Sequence, residues 1–145
     1  MNYPFTDEPA AVDVTELNRT CRNGLIENLG IIYTYVGTAR VEATMPVDDR
    51  TCQPFGVLHG GASMALAETI AGVGSLCIIG PDYHAVGQQV SANHVAAAER
   101  GDTVKGVATL MHRGRSSHLW HVDIFSLSTG RLVSTAQVLY AILQK

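Results

Sequence analysis

The chain contains 145 residues, of which 46% are hydrophobic and 16% are charged, and its formal net charge is -3. These proportions are typical of one soluble globular domain, and they exclude an intrinsically disordered chain. A protein that binds nucleic acid needs a basic face to displace counterions from phosphates, and only two residues of this chain are lysines. We therefore predict no nucleic-acid partner.

The three cysteines, Cys21, Cys52 and Cys77, are scattered along the chain. They form neither a disulfide framework nor the paired spacing of a zinc site, so we predict no metal, no cofactor and a reducing, cytoplasmic location. The N-terminal residues are acidic where a signal peptide needs a basic flank and an apolar run. No repeat or low-complexity tract divides the chain, so we predict a single domain at 1–145 in which residues 1–12 are flexible.

The first predicted element is a short helix at 14–23, with Asp13 as its N-cap and Gly24 as its stop. Two strands follow at 29–36 and 39–46. Apolar and polar residues alternate along the second of them, as they do in a half-buried strand. The two strands are therefore predicted to form a hairpin.

A loop at 48–56 leads to an apolar segment at 62–79, the only long helix that the sequence predicts. This segment is almost long enough to cross a membrane, but it contains Glu68, and a carboxylate in mid-membrane costs a few kcal/mol. We therefore predict a helix buried inside the protein and no membrane partner. Turn-like residues separate four further predicted strands, which lie at 85–98, 103–112, 118–127 and 131–143.

A helix that is apolar on all sides must be covered nearly all round. We therefore predict an α+β fold in which a curved antiparallel sheet of about six strands wraps around one long buried helix. A single sheet leaves one side of this helix open, so pairing with a second copy, as a homodimer, is the expected completion.

Glu68 is the only formally charged residue between Arg50 and Asp82. A lone carboxylate in an apolar setting costs several kcal/mol unless it is hydrogen-bonded, protonated or open to a water-filled pocket. The structural alternative is a carboxylate bound by a partner across an interface, or one on a helix face that meets solvent. Its neighbours on the helix face are mostly small, which leaves room for a ligand; they are Met64, Ala65, Ala71 and Gly72.

Gly60 and Gly61 lie at the start of the predicted helix. Unpaired backbone N–H groups and the helix dipole can stabilise an anion or a polarised carbonyl oxygen there, although glycine also permits close packing. A carboxylate two turns inside such a helix makes an acyl-transfer site plausible. His59 has two open interpretations, a bond to nearby backbone or a catalytic role.

His94 shares the apolar face of its strand with Val86 and is expected to point toward the helix, either as a core histidine or as a site residue. His118 and His121 lie three residues apart on a strand. They therefore face opposite sides, and we do not predict that they bind a metal.

The segment QPFGVLHGGAS at 53–63, followed by ALAE at 65–68, resembles the active-site segment of hot-dog-fold acyl-CoA thioesterases. It most resembles the PaaI-like branch that contains the Arthrobacter-type 4-hydroxybenzoyl-CoA, the 1,4-dihydroxy-2-naphthoyl-CoA and the enterobactin proofreading thioesterases. The similarity extends over roughly residues 14–140.

This resemblance implies that Glu68 is the catalytic carboxylate, acting as nucleophile or as general base for water. The N–H of Gly60 would bind the thioester carbonyl oxygen, Gln53 would orient the thioester or the water, and His59 would support that geometry. Arginine in the β-turn region at 113–117 suits the CoA phosphates. The predicted substrate-binding residues are Gly61, Met64, Gly72, His94, Arg113, Arg115 and Ser116.

One position departs from the family pattern. The residue four positions after the glutamate is commonly Ser or Thr in this branch, and here it is Gly72. A hydroxyl that would bond the carboxylate or water is missing, and a glycine there is expected to enlarge the acyl pocket. The implied reaction is hydrolysis of an acyl-CoA with an aromatic or bulky acyl group.

Other functions and assemblies stay open. The same fold can serve as an acyl-CoA-binding or sensing module without catalysis, although Glu68 argues against it. A dehydratase would need a histidine and an acid placed together for proton abstraction. An acyl carrier protein is an alternative to CoA as the thiol carrier, and the resemblance implies a homotetramer, a dimer of dimers.

Overall fold

A computed structural model describes residues 4–145, so residues 1–3 of the segment predicted to be flexible lie outside the described residues. Within this range the chain forms three helices and six strands. In chain order these are α1 (Val14–Thr20), α2 (Gly24–Leu29), β1 (Ile32–Val36), β2 (Arg40–Pro46), α3 (Gly60–Ile78), β3 (Tyr83–His94), β4 (Thr103–Arg113), β5 (Ser117–Ser126) and β6 (Leu132–Gln144).

The six strands form one antiparallel sheet in the order β1-β2-β4-β5-β6-β3. Burial alternates along β2, β4 and β5 with the period of two that the sequence predicts. In β5, for example, Trp120 and Val122 are fully buried, whereas His121 and Asp123 on the other face are partly exposed. The predicted sheet of six strands with one long helix is confirmed.

Helix α3 packs on one face of this sheet and contacts five of its strands, β2 to β6. Leu66 and Ile70 of the helix are fully buried against the sheet. At Gly74 the helix backbone lies so close to the Trp120 ring that a side chain would overlap it. By length and hydropathy α3 would pass for a membrane span, but 56% of its apolar stretch is buried inside the domain. The apolar segment is therefore the core helix.

One side of α3 is only partly covered by residues 4–145, although residues 70–75 are buried all round. Gly61, Glu68 and Leu76 are exposed along this side, which we call the open face of α3. A single sheet thus leaves part of this helix uncovered, as predicted for one chain. The sheet covers only one side of a cylinder, which is the geometry that led us to expect a second copy.

The N-terminal helical region differs from the prediction. Asp13 caps α1 as expected, with its side chain accepting two backbone N–H groups, but the helix ends at Thr20 instead of residue 23. Gly24, the predicted stop, begins α2. Gly30, whose φ of +71° is left-handed, caps the C-terminus of α2 after Leu29. The strand predicted at 29–36 therefore begins only at Ile32. A helix of six residues shows too few apolar repeats to be recognised.

Residues 7–10, within the segment predicted to be flexible, contact the turn between β1 and β2. The carboxylate of Asp7 accepts the hydroxyl of Tyr35 at 2.6 Å and the N–H of Ala39 at 2.8 Å. The N–H of Ala10 donates to the carbonyl of Val36 at 3.0 Å. These bonds join the segment to the sheet from Asp7 onwards.

Strand β3 contains a β-bulge between Gly87 and Gln89, where its register against β6 shifts. An extra residue at a bulge exchanges the two faces of a strand on either side of it. His94 lies opposite the buried Ser134 on the helix side of the sheet, whereas Val86 is 48% exposed. The prediction that Val86 shares a face with His94 is therefore wrong.

Tyr33 in β1 is 2% exposed, and its hydroxyl has no hydrogen-bond partner among residues 4–145. Burying an unsatisfied hydroxyl costs about 1–3 kcal/mol. We therefore expect Tyr33→Phe to raise the free energy of unfolding by about 1 kcal/mol, measured as the urea midpoint at neutral pH. Tyr35→Phe, which removes the bond to Asp7, is the matched control and should lower the midpoint. A lower midpoint for Tyr33→Phe would contradict the assignment.

Candidate active site

The N-terminus of α3 is shaped by its capping residue. The ring nitrogen Nδ1 of His59 accepts the N–H of Gly61 at 2.8 Å. Within residues 4–145, the N–H of Gly60 has no hydrogen-bond partner. This group lies at the positive end of a 19-residue helix, where it can donate to an anion or a polarised carbonyl oxygen. His59 thus makes the backbone bond that was one of its two interpretations.

His94 of β3 lies against this helix end. A β-carbon at residue 60 would lie 2.5 Å from Nε2 of His94. The other ring nitrogen, Nδ1, is 3.0 Å from Oγ of Ser134, a fully buried serine on β6. The prediction that His94 points toward the helix is confirmed. Ser134, which the sequence did not single out, fixes the ring so that Nε2 faces Gly60.

Gln53 lies in a tight loop that precedes α3. Its N–H donates to the carbonyl of Val57 at 2.8 Å, and its own carbonyl accepts the N–H of Gly56 at 3.0 Å. The loop places Gln53 beside a cavity of about 390 Å³ at the start of α3. The residues that line this cavity are Gln53, Val57, Leu58, His59, Gly60, Ser63, His94, Ala96, Ala97 and Val133. The structure thus brings four predicted site residues together.

Glu68 lies eight residues beyond Gly60, on the open face of α3, and is exposed. Its carboxylate rests on β3, so close to Gly87 that any side chain there would overlap Oε1. Eight helical residues span about 12 Å. The carboxylate lies at Gly87 of β3, whereas Gly60 lies at His94, seven residues further along the same strand, so the two groups of one chain lie apart.

Gly72 does not open a pocket. It is buried, and a β-carbon at residue 72 would lie 2.5 Å from the hydroxyl oxygen of Tyr140 on β6. The Tyr140 hydroxyl donates to the backbone carbonyl of Glu68 at 2.7 Å. The expectation that Gly72 enlarges the acyl pocket is wrong, because the phenol of Tyr140 fills the space. Nothing local in the sequence indicated Tyr140.

Two predicted substrate-binding residues lie on the open face of α3. Gly61 lines a cavity of about 340 Å³ between α2 and α3, whose walls include the apolar side chains of Leu25 and Leu29. Met64, one turn further along the helix, is half-buried. Both positions are accessible to a ligand, and their contact with substrate stays a prediction.

The remaining predicted residues lie at the other end of α3. Arg113 and Arg115 line a third cavity, of about 330 Å³, beside Ile78 and Ile79 at the C-terminus of the helix. Ser116 is exposed in the turn between β4 and β5. One chain therefore holds the predicted site residues in three separate places. No three His, Cys, Asp or Glu side chains of the described residues are placed to bind one metal ion.

A buried polar cluster, which the sequence did not reveal, joins α3 to β5. Nε1 of Trp120 donates to Oγ of Ser75 at 2.8 Å, and Nδ1 of His118 lies 3.1 Å from the same oxygen. Each of these residues is at most 2% exposed. Burial lowers the pKa of His118, and the positive charge of Arg113 acts in the same direction. His118 is therefore neutral when the protein is folded at neutral pH.

A six-stranded antiparallel sheet packed on one long helix defines a hot-dog-fold domain. The family model of the Thioesterase superfamily matches residues 55–133, more than half of the chain. The chain belongs to this family and is a thioesterase.

Relatives and solved structures agree with this assignment. The proofreading thioesterase EntH of Cronobacter sakazakii is 44% identical over 127 residues, which are 88% of this chain and 91% of that protein. The 1,4-dihydroxy-2-naphthoyl-CoA hydrolase of Escherichia coli is 41% identical over 133 residues, which are 91% of this chain and 96% of that protein. The crystal structure of a thioesterase from Haemophilus influenzae superposes with a TM-score of 0.87 at 36% identity, covering 92% of each chain.

The buried His118 makes the stability of the fold depend on pH. Its pKa is lower when folded than the ordinary value of about 6.5 for an unfolded histidine, so the unfolded chain binds more protons below that pH. Its contribution to stability is complete above pH about 6.5 and is lost as the pH falls toward the folded pKa. We expect the urea midpoint of the wild type to fall more steeply over this interval than that of His118→Gln. Equal slopes would contradict the assignment.

Proposed function

We propose that this protein hydrolyses the thioester bond of an acyl-CoA with an aromatic or similarly bulky acyl group, and that Glu68 is the catalytic carboxylate. The observation that carries the proposal is the pairing of an exposed carboxylate on α3 with a free N–H at the start of the same helix. Hydrolysis adds one water, breaks the C–S bond, and releases the free acid and the CoA thiol.

The helix start supplies the electrostatic part of the reaction. Attack on the thioester carbon moves negative charge onto the carbonyl oxygen. The N–H of Gly60 can stabilise that charge by donating a hydrogen bond to the oxygen. One such donor is worth about 3 kcal/mol of transition-state stabilisation. Gln53 and His94 line the same cavity and can orient the thioester or the attacking water.

The carboxylate supplies the second part. Glu68 either attacks the carbonyl carbon itself and expels the CoA thiolate, which forms an anhydride that water then hydrolyses to the free acid and Glu68, or removes a proton from a water that attacks the carbon and displaces the thiolate. In both routes its oxygen must approach the thioester carbon bound at Gly60, to about 3–3.5 Å or through one water molecule. The carboxylate of the same chain lies apart from Gly60, because it packs on Gly87 of β3, whereas Gly60 lies against His94, seven residues further along that strand.

A second copy of the chain resolves this distance. The open face of α3 and the outer edge of β3, the last strand of the sheet, are both uncovered by residues 4–145. Leu76 on the open face is 54% exposed. A two-fold axis along this surface would place Glu68 of one copy beside the Gly60 N–H of the other. We therefore propose a homodimer with two shared sites, and a dimer of dimers remains compatible with it.

The substrate class is supported by the cavities and by the relatives. The cavity of about 390 Å³ beside Gly60 is large enough to hold a ring system. The relative from Escherichia coli is named for hydrolysis of 1,4-dihydroxy-2-naphthoyl-CoA, an aromatic thioester. Arg113 and Arg115 can bind phosphates bidentately, whether on CoA or on a carrier-protein pantetheine. Only CoA carries a nucleotide beyond the pantetheine, so a contact of these arginines with the nucleotide phosphates would distinguish CoA from a carrier protein.

Glu68→Gln tests the proposed carboxylate, because it keeps the size of the side chain and removes its negative charge. We expect turnover of benzoyl-type and naphthoyl-type CoA thioesters, followed as free thiol release, to fall by about 10²-fold or more, with CoA affinity nearly unchanged. Glu27→Gln, at an exposed glutamate of α2, is the matched control and should keep full activity. Retained turnover in Glu68→Gln would overturn the role of this residue.

Mixed dimers test whether the site is shared. Glu68→Gln and Gln53→Ala chains, each impaired alone, are co-expressed with different tags. If Gln53 of one copy works with Glu68 of the other, each heterodimer has one intact site, and a statistical mixture recovers about a quarter of wild-type activity. No recovery in isolated heterodimers would show that each site is built from one chain.

A further inference from the structure

Tyr140 ties the sheet to the turn of α3 that carries Glu68. Its side chain is 8% exposed, and its hydroxyl donates to the backbone carbonyl of Glu68 at 2.7 Å. A carbonyl oxygen has two lone pairs, so it can accept this bond as well as the usual bond within the helix. Glu68 is therefore attached at its own backbone to β6.

We propose that Tyr140 is a positioning residue for the Glu68 carboxylate and that Gly72 is required to make room for it. This inference rests on the proposed function, in which the carboxylate acts on a thioester bound beside the helix start of a second copy. It identifies the Tyr140 hydroxyl as the group that fixes the position of the helix turn carrying Glu68 relative to the sheet.

Gly72 and Tyr140 depend on each other sterically. A β-carbon at residue 72 would lie 2.5 Å from the Tyr140 hydroxyl oxygen and 3.0 Å from its Cζ atom. Real β-carbons essentially never approach another heavy atom so closely, and the Tyr140 ring is buried, so it has little room to move. A side chain at residue 72 would therefore displace the phenol and break its bond to Glu68.

The pair also accounts for the departure from the family pattern at residue 72. The resemblance leads us to expect a serine or threonine hydroxyl there, one helix turn after the glutamate. In this chain a hydroxyl reaches the same turn from β6, a strand 72 residues away in sequence from Glu68. The glycine is thus the vacancy that the tyrosine fills.

The other end of Glu68 rests on the neighbouring strand. Gly87 of β3 lies directly opposite Tyr140 of β6 in the sheet, and the carboxylate packs on Gly87 beside the β-bulge. Two adjacent residues of the sheet therefore hold the carbonyl and the carboxylate of one glutamate. A misplacement of about 1 Å can cost 10²-fold in rate, so a fixed helix turn matters for catalysis.

The bond persists over the pH range in which thioesterases are assayed. Burial raises the pKa of Tyr140, and the nearby negative charge of Glu68 raises it further. Tyr140 therefore remains a neutral hydroxyl that can donate. Its role is to orient Glu68 and not to exchange a proton with the substrate.

Tyr140→Phe removes this one bond and keeps the ring. We expect kcat for an aromatic acyl-CoA to fall roughly 10-fold while KM changes by less than about two-fold, because the substrate-binding surfaces are untouched. Tyr33→Phe, at another buried tyrosine whose hydroxyl has no bond to Glu68, is the matched control and should keep the wild-type kcat. Thermal unfolding of each variant verifies that both are folded at the assay temperature.

Rescue distinguishes positioning from a general loss of packing. Gly72→Ser alone should lower kcat at least as much as Tyr140→Phe, because its β-carbon displaces the phenol. The double variant Gly72→Ser/Tyr140→Phe removes the contact at 2.5 Å, leaves the one at 3.0 Å for a small shift of the ring to relieve, and returns a hydroxyl to the helix turn, so its kcat should exceed that of Gly72→Ser. A double variant no better than the poorer single variant would overturn the proposed coupling.

A spectroscopic readout separates the bond from the reaction. The ¹³C resonance of the Glu68 backbone carbonyl responds to hydrogen bonding and should move in Tyr140→Phe but not in Tyr33→Phe. If the wild type is active but Tyr140→Phe has the wild-type kcat, or if the Glu68 carbonyl resonance does not move in Tyr140→Phe, the positioning role alone is overturned. A wild type that releases no thiol from any acyl-CoA would instead overturn the proposed function, and the positioning role with it.

Discussion

The structure depends on how closely α3 approaches the sheet. Fully burying a side chain such as Leu66 or Ile70 contributes about 1.5–3 kcal/mol, and ten residues of this helix are buried. Close approach requires small residues, and a side chain at Gly72 or Gly74 would overlap an aromatic ring of the sheet. The rings of Tyr140 and Trp120 occupy the space beside these glycines. They therefore fix the position of the helix along its axis as well as its distance from the sheet.

This close contact explains why one helix can carry two chemical groups with fixed geometry. The N–H at the helix start and the carboxylate of Glu68 belong to one rigid rod, whose position is set by apolar packing that neither group supplies. Strand β3 runs beside α3 and contacts both groups: His94 lies at Gly60, and Gly87 lies at Glu68. The bulge in β3 lets inward-facing residues serve both ends, because it changes the alternation between them.

The sequence was informative wherever the signal is local. Period-two alternation predicted the strands, and an isolated charge in an apolar helix indicated Glu68. The spacing of Gln53, His59 and Gly60 carried the family resemblance. Contacts between distant parts of the chain left no such signal. The bond from Tyr140 to Glu68 joins residues 72 positions apart, and Ser134 and Ser75 are ordinary serines until the fold places histidines beside them.

The errors in the prediction have the same physical origin. A bulge adds one residue to a strand without changing its composition, so the face of Val86 could not be read from alternation. Glycine at residue 72 has no side chain from which to infer a neighbour. The sequence therefore does not indicate which side chain fills the space beside it. A glycine inside a helix costs up to about 1 kcal/mol relative to alanine, so its presence there requires a compensating contact. In this chain the phenol of Tyr140 supplies it, at the helix turn on which the proposed chemistry depends.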